Sequence, residues 1–187
     1  MPLFALRLCS GGLNLTTDRK QVFMDDDSSD TNRRFAFELL RDSQILVSFQ
    51  GAAAPHPSEV QEYRELMASL ADKPDLRCLW FTEGGRLSLG EQERLTASVP
   101  KRHWRTALVS PSPEMRFVAS VLLLANKNLR YFKPEELPQA LRHLQCTREE
   151  QHAAQIMLAE LRYAVERSTQ KTSGGLHHPE LRSERRV

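Results

Sequence analysis

At 187 residues, 40% apolar and 27% charged, the chain has the material for one ordinary soluble domain with extensions at its ends. Its 26 basic and 24 acidic side chains leave a formal charge of +2, too near balance to point to nucleic acid or an anionic membrane. The cysteines Cys9, Cys78 and Cys146 are scattered and form no Cys-x-x-Cys pair, which argues against a zinc site or a disulfide framework and for a reducing compartment.

In chain order, residues 1–34 read as an extension. Phe4-Ala-Leu-Arg-Leu8 has the pattern of a short strand and Gly11-Gly12 interrupts it. The run Asp25-Asp26-Asp27-Ser28-Ser29-Asp30 reads as a solvated loop. Asp27, Ser29, Thr31 and Glu38 fall at calcium-loop spacing, but Asn32 stands where such a loop needs glycine and no helix is expected on either side. Met1 to Leu8 has one basic residue and no apolar core of signal-peptide length, so a cytoplasmic protein is expected.

Phe35-Ala-Phe-Glu-Leu-Leu40 and Ile45-Leu-Val-Ser-Phe49 alternate with period two and predict a hairpin of half-buried strands turning at Asp42-Ser43. Ser58 with Gln61 predicts a capped helix whose stripe is Val60, Tyr63, Leu66, Met67 and Leu70, ended by Pro74. Leu76-Arg-Cys-Leu-Trp-Phe81 is a continuous apolar strand, with Cys78 a buried thiol. A loop over residues 82–87 leads to a second capping box, Ser88 with Glu91, and a helix stopping at Pro100. Lys101, Arg102, His103 and Arg105 surround Trp104; such a cluster can hold phosphate or nucleic acid, but a solvated face accounts for it here.

Thr106-Ala-Leu-Val109 is another buried strand. Ser112 as cap and Pro113 at the first helical position open a helix to Ala125. That helix is too short to span a bilayer, which takes about 20 residues. Met115, Phe117, Val118, Val121, Leu122, Leu123 and Leu124 cover more than one of its faces, so its outer side needs a cover. The C-terminal helix is the expected one; a second subunit, giving a homodimer through the Phe117–Leu124 helix or the C-terminal helix, is the alternative. Leu129-Arg-Tyr-Phe132 is a short strand, and Pro134 opens a helix ending near Leu144. Thr147 with Glu150 caps a long helix over 146–169 with the stripe Ala154, Met157, Leu158, Leu161 and Val165, expected to pack on the domain or a second subunit. Residues 170–187 are polar and expected to be disordered.

A hairpin followed by alternating helices and strands predicts an α/β fold. We expect a mixed sheet of four or five strands with covering helices and a long C-terminal helix. Over residues 35–145 this order resembles the STAS domain of bacterial anti-sigma factor antagonists and sulfate transporters. The resemblance rests also on Leu79-Trp-Phe-Thr-Glu-Gly-Gly-Arg-Leu-Ser88, on the stretch from Thr106 to Val118, and on Arg130 to Leu141. It implies a cytosolic, non-catalytic signalling module that binds a protein partner. Members switched by phosphorylation carry Asp-Ser-x-Gly; here Ser88-Leu89-Gly90 stands at that place with Leu87 for the aspartate. The lipid-binding CRAL-TRIO domains share part of the architecture and give the alternative, a carrier of an apolar ligand.

Ligands of open α/β sheets gather at the carboxyl ends of the strands. Thr82, Glu83, Gly84, Gly85 and Arg86 should emerge there beside Ser110 and Ser112, and this is the candidate partner-binding edge. Ser88, at a helix start where negative charge is favoured, is the candidate phosphosite, although with Glu91 it also makes an ordinary cap. The six histidines show no His-Glu-x-x-His and no helical pair, and no Gly-x-Ser-x-Gly elbow occurs. No metal, cofactor or enzymatic activity is expected.

Overall fold

The computed structural model describes residues 32–84 and 104–173. Five strands form one sheet in the order of the chain: β1 (Phe35–Leu40), β2 (Ile45–Gln50), β3 (Arg77–Thr82), β4 (Arg105–Val109) and β5 (Leu129–Phe132). β1 runs antiparallel to β2, with Phe35 opposite Gln50 and Leu40 opposite Ile45; the remaining pairs are parallel. Helices α1 (Pro57–Ser69), α2 (Pro113–Ala125), α3 (Leu137–His143) and α4 (Arg148–Ser173) complete the described fold, which is the expected α/β architecture.

The hairpin turns through a single 3-10 turn, Arg41–Ser43, and Gln44 takes up the reversal at φ 51°. Strands alternate side chains between faces, and each face has its own cover. Phe35, Leu46, Tyr63, Met67, Leu70, Leu76, Cys78 and Trp104 pack together beneath α1. Leu108, Ala119 and Leu129 join beneath α2. On the opposite face Ile45, Val47, Phe49, Leu79, Phe81, Ala107 and Val109 meet α3 and α4. β2 is therefore buried along its whole length, Ser48 and Gln50 included, rather than half-buried as its alternation predicts.

α4 buries the predicted stripe, Ala154, Met157, Leu158, Leu161 and Val165, against the sheet. It does not cover α2. The two helices lie on opposite sides of the sheet, so the expected intrachain cover of α2 is corrected: Phe117 is 72% and Val121 53% exposed. α4 also continues to Ser173, so the first residues assigned to the 170–187 tail are helical. Its start is as predicted: Thr147 N–H donates to Glu150 Oε2 at 2.8 Å and Glu150 N–H to Thr147 Oγ1 at 3.2 Å.

Two other starts differ. α1 is capped at His56, whose N–H donates to Glu59 Oε2 at 2.7 Å; Pro57, fit for the first helical turn, puts the boundary before Ser58. The other oxygen of the buried Glu59 accepts Arg34 N–H at 2.8 Å and Phe35 N–H at 3.2 Å, and Ser168 Oγ donates to Arg33 O at 2.6 Å. The chain is thus tied to the domain just before residue 35. Ser112 sits at the N-cap of α2 but makes no side-chain capping bond.

Candidate functional site

The carboxyl ends of β2 to β5 form one rim, as parallel order requires. Glu83 N–H donates to Gln50 O at 2.9 Å, so the segment leaving β3 continues beside the end of β2. Thr82 Oγ1 accepts Gly84 N–H at 3.2 Å, which closes a tight turn, and Gly84 has φ 112°. That left-handed backbone is cheap only for glycine. A methyl placed on Gly84 would lie 3.5 Å from Ser112 Cβ, so the loops after β3 and β4 touch here.

The second loop is held from below. Ser110 N–H donates to Phe132 O at 3.0 Å, and Ser110 Oγ accepts Ser112 N–H at 3.2 Å. Tyr131 reaches up from β5, its hydroxyl 2.7 Å from Ser110 O and 3.3 Å from Ser112 O. Burial pushes the Tyr131 phenol up from its ordinary range, with the nearby Arg116 pulling the other way. It is a hydroxyl donor at neutral pH, not a base.

The structure thus brings Thr82, Glu83, Gly84, Ser110 and Ser112 together, but not in equal roles. Thr82 and Ser110 are fully buried and shape the turns; this corrects their place among residues a partner would touch. Pro111 is exposed, and Glu83, Gly84 and Ser112 are half-buried at the rim. Gly85, Arg86 and Ser88 lie outside the described residues, as do Lys101, Arg102 and His103. Trp104, by contrast, is a core residue, 2% exposed, with its indole N–H donated to Lys73 O at 2.9 Å.

Two rim residues escape a sequence reading. Arg162 of α4 sets Nη2 2.8 Å from Glu83 Oε1, and its guanidinium lies 5.8 Å from the Phe49 ring centroid. Its position flanking the buried Leu161 and Val165 was the only available signal. Tyr131 could have been suspected, because a tyrosine in a short covered strand needs a partner for its hydroxyl.

Chemically, this rim offers one carboxylate already paired with a guanidinium, serine side chains and backbone. Among the described residues no group of His, Cys, Asp or Glu is placed to hold a metal ion. Likewise, among them, no helix is long and apolar enough to cross a membrane. An open depression on the outer side of α4, lined by Arg148, Glu149, Gln151, His152 and Gln155, is separate from the rim. No protein-family model, curated protein or solved structure matches this chain.

Proposed function

We propose that this chain is a non-catalytic regulatory or scaffold module of the STAS type, which captures a protein partner at the rim formed by Glu83, Gly84, Pro111 and Ser112. The observation that carries the reading is the meeting of Gly84 with Ser112, from which α2 rises with Phe117 and Val121 turned outward. A shallow polar edge continuous with exposed apolar side chains suits protein recognition better than enclosure of a small substrate. The antiparallel first strand followed by parallel strands in chain order supports the STAS resemblance.

The carrier alternative draws on the apolar excess of α2. Phe117 and Val121 face outside, so that excess lines no internal chamber and lends the carrier no support.

The test is affinity capture from the native cell, with the whole chain and its Pro111→Trp and Phe117→Ser variants as baits. A specific protein held by the natural chain and lost by both variants, at unchanged melting temperature, is the expected result. Equal capture by all three would place the docking surface elsewhere. An apolar small molecule retained in native mass spectrometry would favour the carrier instead.

A further inference from the structure

We propose that the amino-terminal edge of β4 and β5 is a second docking surface, built to seat a carboxylate-rich segment of a partner protein on Arg105 and Arg130. It stands on its own geometry, at the end of these strands away from the rim. Ala107 and Phe132 are core residues beneath α3 and α4, so strand alternation puts Arg105 and Arg130 on that same face. Between the two strands and the end of α3 sits His143, whose ring nitrogen is 3.0 Å from Asn128 O and whose ring lies 5.8 Å from that of Phe132. Arg105 Nη1 is 3.5 Å from His143 O. Burial holds the His143 imidazole below its ordinary range, and the charges of Arg130 and Arg105 push it the same way. Arg142 and Lys127, both exposed, flank the group.

Among the described residues, this gathering of cations has no ion-paired carboxylate. Arg77 and Arg105 are direct neighbours in the register of β3 and β4, yet the Glu150 oxygens accept from Arg77 and, at Oε2, from the Thr147 N–H, and not from Arg105. No carboxylate among the described residues pairs with Arg105, Lys127, Arg130 or Arg142. Like charges gathered on one edge repel one another, so an incoming anion relieves a cost as well as forming contacts. Guanidinium forks match carboxylates in plane and spacing.

An acidic protein segment suits this edge better than nucleic acid. Base stacking needs open aromatic faces, whereas Trp104 and Phe132 are buried and the Tyr131 hydroxyl is engaged with the rim.

Fluorescence anisotropy of a labelled peptide of consecutive aspartates, titrated with the whole chain at low and at physiological salt, tests this surface. Arg130→Glu should weaken binding at least tenfold. Lys133→Glu, the same charge change at the other end of β5, should leave it within about twofold. Melting temperatures show that each variant is folded, and Arg130 is exposed enough for its replacement to be borne. Absence of peptide binding, equal loss from both variants, or tighter binding of a single-stranded oligonucleotide of equal charge would each overturn the proposal. Displacement by millimolar inorganic phosphate alone would overturn it too, by showing a site for a simple anion.

Discussion

Arg162 Nη2 and Glu83 Oε1 are 2.8 Å apart, joining the long C-terminal helix to the loop that leaves the central strand. The same guanidinium donates through Nε to Glu166 at 2.8 Å and lies over the Phe49 ring. Both partners of the pair are partly solvated, with side-chain exposures of 49% and 29%. A double-mutant cycle of Arg162→Gln and Glu83→Gln should therefore give a coupling of about 0.2–1 kcal/mol that shrinks with added salt. The arginine variant should lose more than the glutamate one, because it also gives up Glu166 and the ring. A coupling indistinguishable from zero at low salt would mean the contact does not tie α4 to the rim.

At the other end of β3, Arg77 binds more deeply. It donates to both oxygens of Glu150, at 3.0 and 2.7 Å, to Gln145 O at 3.3 Å, and to Ser43 O. One side chain thereby ties the β1–β2 turn, the α3–α4 connection and the first turn of α4 together. Arg77→Ala should cost about 2 kcal/mol in urea unfolding, since carbonyls and a carboxylate are left without their donor. The Arg77 guanidinium and the Thr147 N–H hold the Glu150 carboxyl below its usual range. A depressed folded value stabilises the fold above the unfolded value, about 4.3, and that contribution fades as pH falls through the folded value. Glu150→Gln should therefore be less stable than the natural chain at pH 7, with the gap closing in acid; a gap that widens in acid would reverse the assignment.

Gly84 makes the tight turn after β3. At φ 112° any side chain strains the backbone, although the space beside Ser112 admits a methyl in ordinary contact. Gly84→Ala should destabilise by about 1–3 kcal/mol, so bulky residues here would confound folding with docking. Exposed Pro111 is the better probe of the rim for that reason. Equal stability of Gly84→Ala and the natural chain in denaturant titration would show that the turn relaxes.

Much of this architecture was readable because local pattern and tertiary role agree. The alternation of Phe35, Phe37 and Leu39, the Thr147–Glu150 capping box and the stripe from Ala154 to Val165 all appear as expected. What stayed hidden depends on the second face of an element. Ser48 and Gln50 have the polarity of an exposed face, yet α1 and its neighbours bury them. The side taken by α4 was also beyond pattern: the handedness rule governs crossovers between parallel strands, and α4 follows the last described strand. Thr82 and Ser110 stand at strand ends, as the rim reading required, but their hydroxyls turn back to brace the backbone.

Phe117 on α2 is 72% exposed while Leu158 on α4 is 7% exposed. With the sheet between the two helices, Phe117→Ser removes little buried surface and should change stability by no more than about 0.5 kcal/mol. Leu158→Ala opens a cavity against β1 and β2 and should cost about 2–5 kcal/mol. Both are read from urea transitions of the isolated chain, at several protein concentrations. A large, concentration-dependent loss for Phe117→Ser would mean that α2 is covered by a second copy in solution, and the outward apolar row would then belong to a dimer interface rather than to a partner's docking site.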